Sequence, residues 1–162
     1  RRKEVTMKIA TLALIKQDDK VLLGEKKKGE IGTGVLSGPG GKLDPNETLV
    51  ECLIRETFEE YGIRLLEEDI RQIARITFYA FGKPDFDVHI YHAGRFEGEL
   101  QETPDAKMPE WFLVDALPHE RMYDGDQHWF TKALGSEPFC ANVYYKDRAK
   151  DFERIEFLPP DF

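Results

Sequence analysis

Cysteine is scarce in this sequence, which has only two, Cys52 and Cys140. They lie far apart and show neither the spacing of a metal site nor the number of residues that a disulfide framework needs. Cys52 falls within a predicted helix, where we expect it to be inert. This pattern favours a reduced compartment over secretion, and we expect a cytoplasmic protein.

The sequence also has no apolar run long enough to cross a membrane. Arg1 and Arg2 resemble the start of a signal peptide, but the charged Lys3 and Glu4 follow them directly. We therefore expect a soluble protein without a membrane partner.

An excess of positive charge is absent as well, because 23 Lys and Arg residues face 31 Asp and Glu residues and the net charge is −8 at pH 7. A nucleic-acid polymer needs a basic footprint, so we do not expect one as the main partner. A small polyanion fits this balance if metal ions screen its charge.

No internal repeat, low-complexity tract or linker divides the 162 residues. A hydrophobic content of 41%, with 12% aromatic residues, is enough for a substantial core. We predict a single domain over residues 1–162, and a monomer.

The sequence is rich in glycine and acid between residues 40 and 63, which read GGKLDPNETLVECLIRETFEEYGI. Thr48 predicts the start of a helix, and Glu51, three residues later, completes a capping box. Gly62 supplies a left-handed end. At about 100° per residue, one side of this helix forms an apolar core face. Its members are Val50, Leu53, Ile54, Thr57 and Tyr61, with Phe58 at the margin.

Glu56, Glu59 and Glu60 fall within one turn of the predicted helix. Like charges at this spacing repel by about a few tenths of a kcal/mol per pair, and a solvated acidic face is the simplest interpretation. The preceding glycines favour another, because a Gly-Gly turn lets backbone carbonyls approach a ligand closely. Carboxylates with a carbonyl are the hard oxygen ligands that Mg²⁺ or Mn²⁺ prefers. We predict a divalent metal site that bridges phosphate oxygens and activates a water.

This stretch resembles the Nudix box, the signature of the MutT-type hydrolases of nucleoside diphosphates linked to a further group. The pattern's charged and glycine positions are all filled, by Gly41, Glu47, Arg55, Glu56, Glu59, Glu60 and Gly62. Thr57 departs from it, since the family usually carries a bulky aliphatic residue there. We expect looser packing beneath the helix.

The fold expected from the chain is α/β, a sandwich with a mixed β-sheet between helices. The resemblance implies this Nudix fold more firmly than the strand pattern does. Strand pairs are predicted at 7–15 with 21–24, 70–81 with 87–93, and 139–145 with 154–157, and a second helix at 122–132.

The resemblance implies a Mg²⁺-dependent pyrophosphohydrolase that cleaves a nucleoside triphosphate to monophosphate and pyrophosphate by attack of a metal-positioned water. Glu56, Glu59 and Glu60 would supply metal ligands and the general base, with the Gly40 carbonyl as a further ligand. Which acid is the base stays open, because family members differ.

Arg55 completes the catalytic set, and with the supporting Glu47 it would orient the loop and the acids. Gly41 supports the turn beneath them.

Beyond the box, the chain is most similar to the oxidised-purine nucleoside triphosphate hydrolases of the MutT homologue group, which cleanse the nucleotide pool of compounds such as 8-oxo-dGTP. Ser37 stands where that group has an asparagine that hydrogen-bonds the base. Tyr123 retains an aromatic for stacking, Asp126 retains one of two adjacent aspartates, and Gly125 removes the other. These changes leave a purine preference and put the oxidised form in question. Alternatively, residues 124–126 form only a helix-capping turn.

Two further assignments rest on loops. Lysines at 26–28 suggest a solvated loop, or a contact with a substrate phosphate, for which we choose Lys27. Ala106 stands where the family has a loop acid. Either Asp105 or Glu102 replaces that acid, or the box acids act alone.

Other functions also fit the sequence. The changes at Ser37 and Gly125 keep open a nucleotide sugar, a dinucleoside polyphosphate or a capped RNA end as the substrate. A nucleotide-binding sensor without turnover is favoured by Ala106 and disfavoured by the intact box acids.

Overall fold

The computed structural model describes residues 6–162, so the charged segment 1–4 considered above lies outside the described residues. A mixed β-sheet with helical segments packed on it matches the predicted α/β sandwich. No helix in this described part of the chain is long and apolar enough to cross a membrane.

The sheet begins with the predicted hairpin, formed by β1 (Lys8–Gln17) and β2 (Lys20–Glu25). Asp18 turns the chain between them with a φ of 53°, a left-handed conformation that aspartate tolerates better than most residues. The later strands are β3 (Leu36–Ser37), β4 (Gly40–Lys42), β5 (Arg64–Leu65), β6 (Arg71–Ala80), β7 (Lys83–Ala93), β8 (Phe96–Glu97), β9 (Glu110–Leu113), β10 (Phe139–Asp147) and β11 (Lys150–Leu158).

The strand order β11-β10-β6-β7-β1-β2-β3 mixes parallel and antiparallel pairs. β10 runs parallel to β6 and β7 runs parallel to β1, whereas β6 with β7 and β10 with β11 are antiparallel. β4 pairs with β1 and β9 with β2, while β5 and β8 form a separate small sheet. The later strand pairs predicted from the sequence are therefore confirmed.

Both faces of the sheet are covered, as the alternation along β1 illustrates. Leu14 packs into one cluster with Ile76, whereas Ala13 and Ile15 pack into another with Leu53. Successive side chains of a strand point to opposite faces, so one strand serves two cores.

The predicted helix is α1 (Leu49–Tyr61), which covers one face of the sheet. Thr48 Oγ1 accepts the Glu51 N–H at 3.1 Å, and Glu51 Oε1 accepts the Thr48 N–H at 3.0 Å. Gly62 ends the helix with a φ of 74°. The capping box and the left-handed end are therefore confirmed.

The core face of α1 differs in part from the prediction. Leu53, Thr57 and Tyr61 are buried as expected, but Phe58 is 58% exposed and lies on the solvent side. Glu60 is buried instead. The buried side of α1 therefore includes one of its acids, Glu60.

The helix predicted over 122–132 is wrong. Shorter segments take its place, namely 3₁₀ turns at His119–Arg121 and Asp126–His128 and the short helix α2 (Phe130–Ala133). The Tyr145 hydroxyl accepts the Gly125 N–H at 2.9 Å, and the Asp126 carboxylate accepts the Tyr123 N–H at 3.3 Å. These side-chain acceptors replace the backbone hydrogen bonds on which a continuous helix depends.

The departure of Thr57 from the family pattern generates a stability prediction. Its hydroxyl is buried and has no hydrogen-bond partner within residues 6–162. Thr57→Val removes this unsatisfied group and keeps the side-chain shape, so the free energy of unfolding should rise by about 1 kcal/mol. Urea denaturation measures the change.

Thr11→Val is the matched control, because the Thr11 hydroxyl is also buried but lies 3.4 Å from Cys52 Sγ as a hydrogen-bond partner. It should not stabilise the protein. Equal effects of the two substitutions would contradict the account.

Candidate active site

A cleft of about 410 Å³ opens beside α1 and β4. Its acidic part is formed by Glu56, Glu59, Glu60 and Asp105. Its aromatic part is formed by Phe78, Tyr123, Asp126, Trp129 and Tyr145. Of the other predicted site residues, Ser37, Gly40 and Gly41 also line the cleft.

Glycine is required where β4 passes the acids. A Cβ on Gly40 would lie 1.9 Å from the Thr11 carbonyl oxygen, and one on Gly41 would lie 2.4 Å from Glu56 Cδ. Any side chain at these positions would push β4 away from β1 or displace the carboxylate. The two glycines therefore allow the strand and the acids of α1 to approach each other.

Arg55 holds the acids from behind the cleft. Its Nε and Nη2 each donate to Glu47 at 2.8 Å, and its Nη1 donates to Glu56 Oε1 at 2.8 Å. The hydrogen bonds from Arg55 lower the pKa of Glu47 to about 2, and those to Glu47 raise the pKa of Arg55. A fork of this kind fixes the direction of both carboxylates.

Glu60 is the most deeply buried acid of the box. Its Oε2 accepts the Gly40 N–H at 2.7 Å. Burial raises the pKa of Glu60 to about 8 against the opposing effect of that N–H, and the charges of Glu56 and Asp105 raise it further. Burial also raises the pKa of Glu56, although Arg55 opposes the shift.

These residues fit a divalent cation by their chemistry. The carboxylates on one turn of α1 face one cleft. Burial raises their pKa values, whereas the charge of a nearby cation would favour their ionised forms and lower those values. In the described residues, however, no three His, Cys, Asp or Glu side chains already form a metal cluster. Glu56 is turned toward Arg55 and Glu60 toward the Gly40 N–H. Small rotations of these side chains would be needed to share one ion.

The structure separates the two candidates for the loop acid. Asp105 lines the cleft, where its charge acts on Glu60, whereas Glu102 is exposed and paired with Lys27. Ala106 is buried and forms a β-bridge with Lys26. Asp105 is therefore the loop acid that stands beside the box acids.

The choice of Lys27 as a phosphate contact does not agree with its placement. Lys27 Nζ donates to Glu102 and, at 3.0 Å, to the Thr103 carbonyl, outside the cleft lining. Lys26 and Lys28 line the cleft instead, and Lys26 Nζ donates to the Tyr123 hydroxyl at 3.2 Å. Because the chain is extended here, neighbouring side chains point in opposite directions.

Asp126 lies deep in the aromatic part. It is 3% exposed, and burial raises its pKa to about 8, so its carboxyl group is mostly protonated at neutral pH. A protonated carboxyl donates one hydrogen bond and accepts others, as recognition of a purine edge requires. Asp126 begins a 3₁₀ turn and also lines the cleft, so residues 124–126 do more than form a turn, and base recognition by Asp126 stays a prediction.

Sequence reasoning missed Phe78, Trp129 and Tyr145 as cleft residues. Phe78 and Tyr145 lie on strands that were predicted, and they stack with ring centroids 6.5 Å apart. Strand alternation would have placed each on one face, but the parallel pairing of β10 with β6 that brings them together carries no local signal.

The chain resembles known proteins over nearly its whole length. The NUDIX domain model matches residues 6–133. The oxidized purine nucleoside triphosphate hydrolase of Danio rerio is 37% identical over 147 residues, which cover 90% of this chain and 90% of that protein. The protein of the same name from Mus musculus is 33% identical over 144 residues, covering 88% and 90% respectively. The crystal structure of a MutT protein from Bacillus halodurans has the same fold, with a TM-score of 0.78 and 23% identity over 93% of this chain and 97% of that one.

The raised pKa of Asp126 predicts how stability depends on pH. The folded protein keeps this proton up to about pH 8, whereas the unfolded chain loses it near the ordinary pKa of 3.8. The folded state therefore binds more protons between about pH 4 and pH 8, and stability should fall as pH rises through this interval. Glu60 acts in the same direction. Thermal unfolding in EDTA at a series of pH values measures the slope.

Asp126→Asn should flatten that slope. The control is Asp124→Asn at an exposed aspartate nearby, which should leave the slope unchanged. An unaltered slope in Asp126→Asn would show that the carboxyl group is ionised in the folded protein.

Proposed function

The chain belongs to the NUDIX domain family, and from that membership we propose that it hydrolyses a purine nucleoside triphosphate to a monophosphate and pyrophosphate. The observation that carries this proposal is that one cleft contains both the acids of α1 and a buried, protonated carboxyl among aromatic rings. The first set suits phosphates with a cation, and the second suits a base. A nucleotide has both.

The base would enter the aromatic part of the cleft. Tyr123 offers a ring for stacking, and Lys26 holds its hydroxyl. Asp126 and Ser37 offer polar atoms to the edge of the base. The similarity to oxidized purine nucleoside triphosphate hydrolases over about 90% of the chain supports oxidised purines among the substrates and a role in cleansing the nucleotide pool.

The phosphates would lie over the acidic part. Glu56, Glu59 and Glu60, with the Gly40 carbonyl, would hold Mg²⁺ or Mn²⁺, which when bound screens the phosphate charge and favours ionisation of a water. Arg55 and Glu47 keep the carboxylates in place behind them. Lys26 adds a positive charge within the cleft.

Hydrolysis then requires a proton acceptor. The oxygen of a water bonds to the α- or β-phosphorus while the bond from that phosphorus to the bridging oxygen breaks. The electron pair of that bond leaves with the bridging oxygen, on pyrophosphate for attack at the α-phosphorus or on the monophosphate for attack at the β-phosphorus. The proton of the water passes to a carboxylate of the acidic part, one of Glu56, Glu59, Glu60 or Asp105.

A binding protein without turnover is the weaker alternative. It was favoured by Ala106, but Asp105 reaches the cleft one residue earlier and restores an acid there. We further propose a cytoplasmic protein, since both cysteines are free and buried and the proposed substrate is an intracellular metabolite.

The test of this function is steady-state hydrolysis with Mg²⁺ of ordinary and oxidised purine triphosphates, beside ADP-ribose and a dinucleoside polyphosphate. Pyrophosphate and phosphate are measured separately. Release of pyrophosphate from purine triphosphates is the expected result. Cleavage of only ADP-ribose or the dinucleoside polyphosphate would contradict this substrate class and show that the protein acts on another diphosphate linkage.

Glu60→Gln should lower kcat by about 100-fold or more, because it removes a carboxylate from the acidic part without changing its shape. Circular dichroism should show an intact fold, since a buried acid is replaced by a neutral isostere. Turnover at the wild-type rate would exclude Glu60 from the reaction.

Asp105→Asn and Glu102→Gln form a matched pair within one loop. Asp105→Asn should reduce kcat or the apparent affinity for Mg²⁺ by about tenfold, because Asp105 lines the cleft. Glu102→Gln should change neither, because Glu102 pairs with Lys27 outside it. The reverse pattern would assign the loop acid to Glu102.

A further inference from the structure

Gly125 and Tyr145 form a polar contact in the aromatic part of the cleft. The Gly125 N–H donates to the Tyr145 hydroxyl at 2.9 Å. A Cβ at position 125 would lie 2.6 Å from that oxygen and 2.8 Å from Phe152 Cδ1. The φ of Gly125 is −87°, which any residue adopts, so contact and not backbone strain selects glycine here. The phenol occupies the space that a side chain at 125 would fill.

The Tyr145 hydroxyl has a proton to donate. The Tyr145 side chain is buried and lines the cleft, and its hydroxyl accepts the Gly125 N–H, while residues 6–162 offer no acceptor for the proton of that hydroxyl. Burial raises the pKa of Tyr145. The hydroxyl therefore remains protonated at physiological pH.

Two other groups make this part of the cleft rich in donors. Trp129 Nε1 is buried and has no hydrogen-bond partner in the described residues. Asp126, with its pKa raised to about 8 by burial, carries a proton at neutral pH. Buried donors without acceptors are costly, so a ligand edge that presents acceptors would be stabilised there.

We propose that Tyr145 is a specificity-determining residue, whose hydroxyl donates to the edge of the base and selects 6-oxo purines over 6-amino purines. A guanine-type edge presents the O6 acceptor at the 6 position, whereas an adenine-type edge presents an amino donor there. An amino group at that position offers no acceptor, so the Tyr145 O–H would stay buried without a partner. This selectivity rests on the proposed function, since it requires the base to enter the aromatic part.

Tyr145→Phe removes only the hydroxyl. For 6-oxo purine triphosphates such as dGTP, dITP and 8-oxo-dGTP, kcat/KM should fall about tenfold, the effect of one lost hydrogen bond. For dATP and 2-hydroxy-dATP it should change less than about twofold. The measured quantity is therefore the ratio of the two kcat/KM values, determined at one pH near 7.

A purely structural role of Tyr145 would give another result. Losing the acceptor of the Gly125 N–H could shift the 123–126 turn, and this would lower kcat/KM for both substrate classes equally. An unchanged ratio overturns the proposal, whether or not the absolute rates fall. Gly125→Ala, which displaces the phenol by contact, should lower the ratio in the same direction.

Tyr144→Phe is the matched control on the same strand. Tyr144 stacks on Tyr79 with ring centroids 4.5 Å apart and does not line the cleft, so its loss of a hydroxyl should leave the ratio at the wild-type value.

The wild-type protein separates this proposal from the proposed function. If it hydrolyses purine triphosphates but Tyr145→Phe keeps the wild-type ratio, the selectivity mechanism alone is wrong. If calorimetry and turnover show neither binding nor hydrolysis of any purine nucleotide by the wild type, both proposals are overturned.

Discussion

The burial of carboxylates against a glycine strand is the constraint on which this structure depends. Glu60 and Glu56 lie under β4 only because Gly40 and Gly41 have no side chains, and the backbone of β4 passes 2.7 Å from Glu60 Oε2. Burial raises the pKa of both acids, so the protein holds them at a cost in stability. Arg55 reduces that cost by its hydrogen bond to Glu56, and the positive charge of a divalent cation would offset the cost further. The acids are thus kept ready for a ligand that brings positive charge.

The aromatic part of the same cleft has the opposite requirement, because its buried groups need hydrogen-bond acceptors and not positive charge. There, Asp126 keeps its proton, and the hydroxyl of Tyr145 has a donor but no acceptor within the described residues. The acids of one region suit a cation and the donors of the other suit acceptors, and the proposed purine nucleotide with its metal would supply both. The shape of the cleft follows from the mixed sheet, since β1 and β4 bring the acids while β6 and β10 bring the rings.

Local signals in the sequence predicted local structure well. The capping box at Thr48 and the end at Gly62 depend on residues within one helix, so α1 was found with its acids in the right order. Long-range features were not accessible in this way. The choice of Lys27 over Lys26 depended on the direction of a side chain in an extended segment, which a β-bridge to Ala106 decides. The prediction of a helix over 122–132 was wrong because side chains accept backbone N–H groups in this segment. One acceptor, Tyr145, is distant in sequence, and the other, Asp126, is nearby. Strand pairing, which sequence patterns leave open, sets these contacts.

The most direct test is calorimetric titration of the substrate-free protein with Mg²⁺ near pH 7.5, in buffers of different ionisation enthalpy. The pKa of Glu60 is raised to about 8 by burial, so the metal-free protein carries a proton there that a bound cation would expel. The account predicts that Mg²⁺ binds with net release of protons, and that Glu60→Gln abolishes this release. Binding without proton release, or identical release from Glu60→Gln, would contradict the claim that the buried acids of α1 form the metal site.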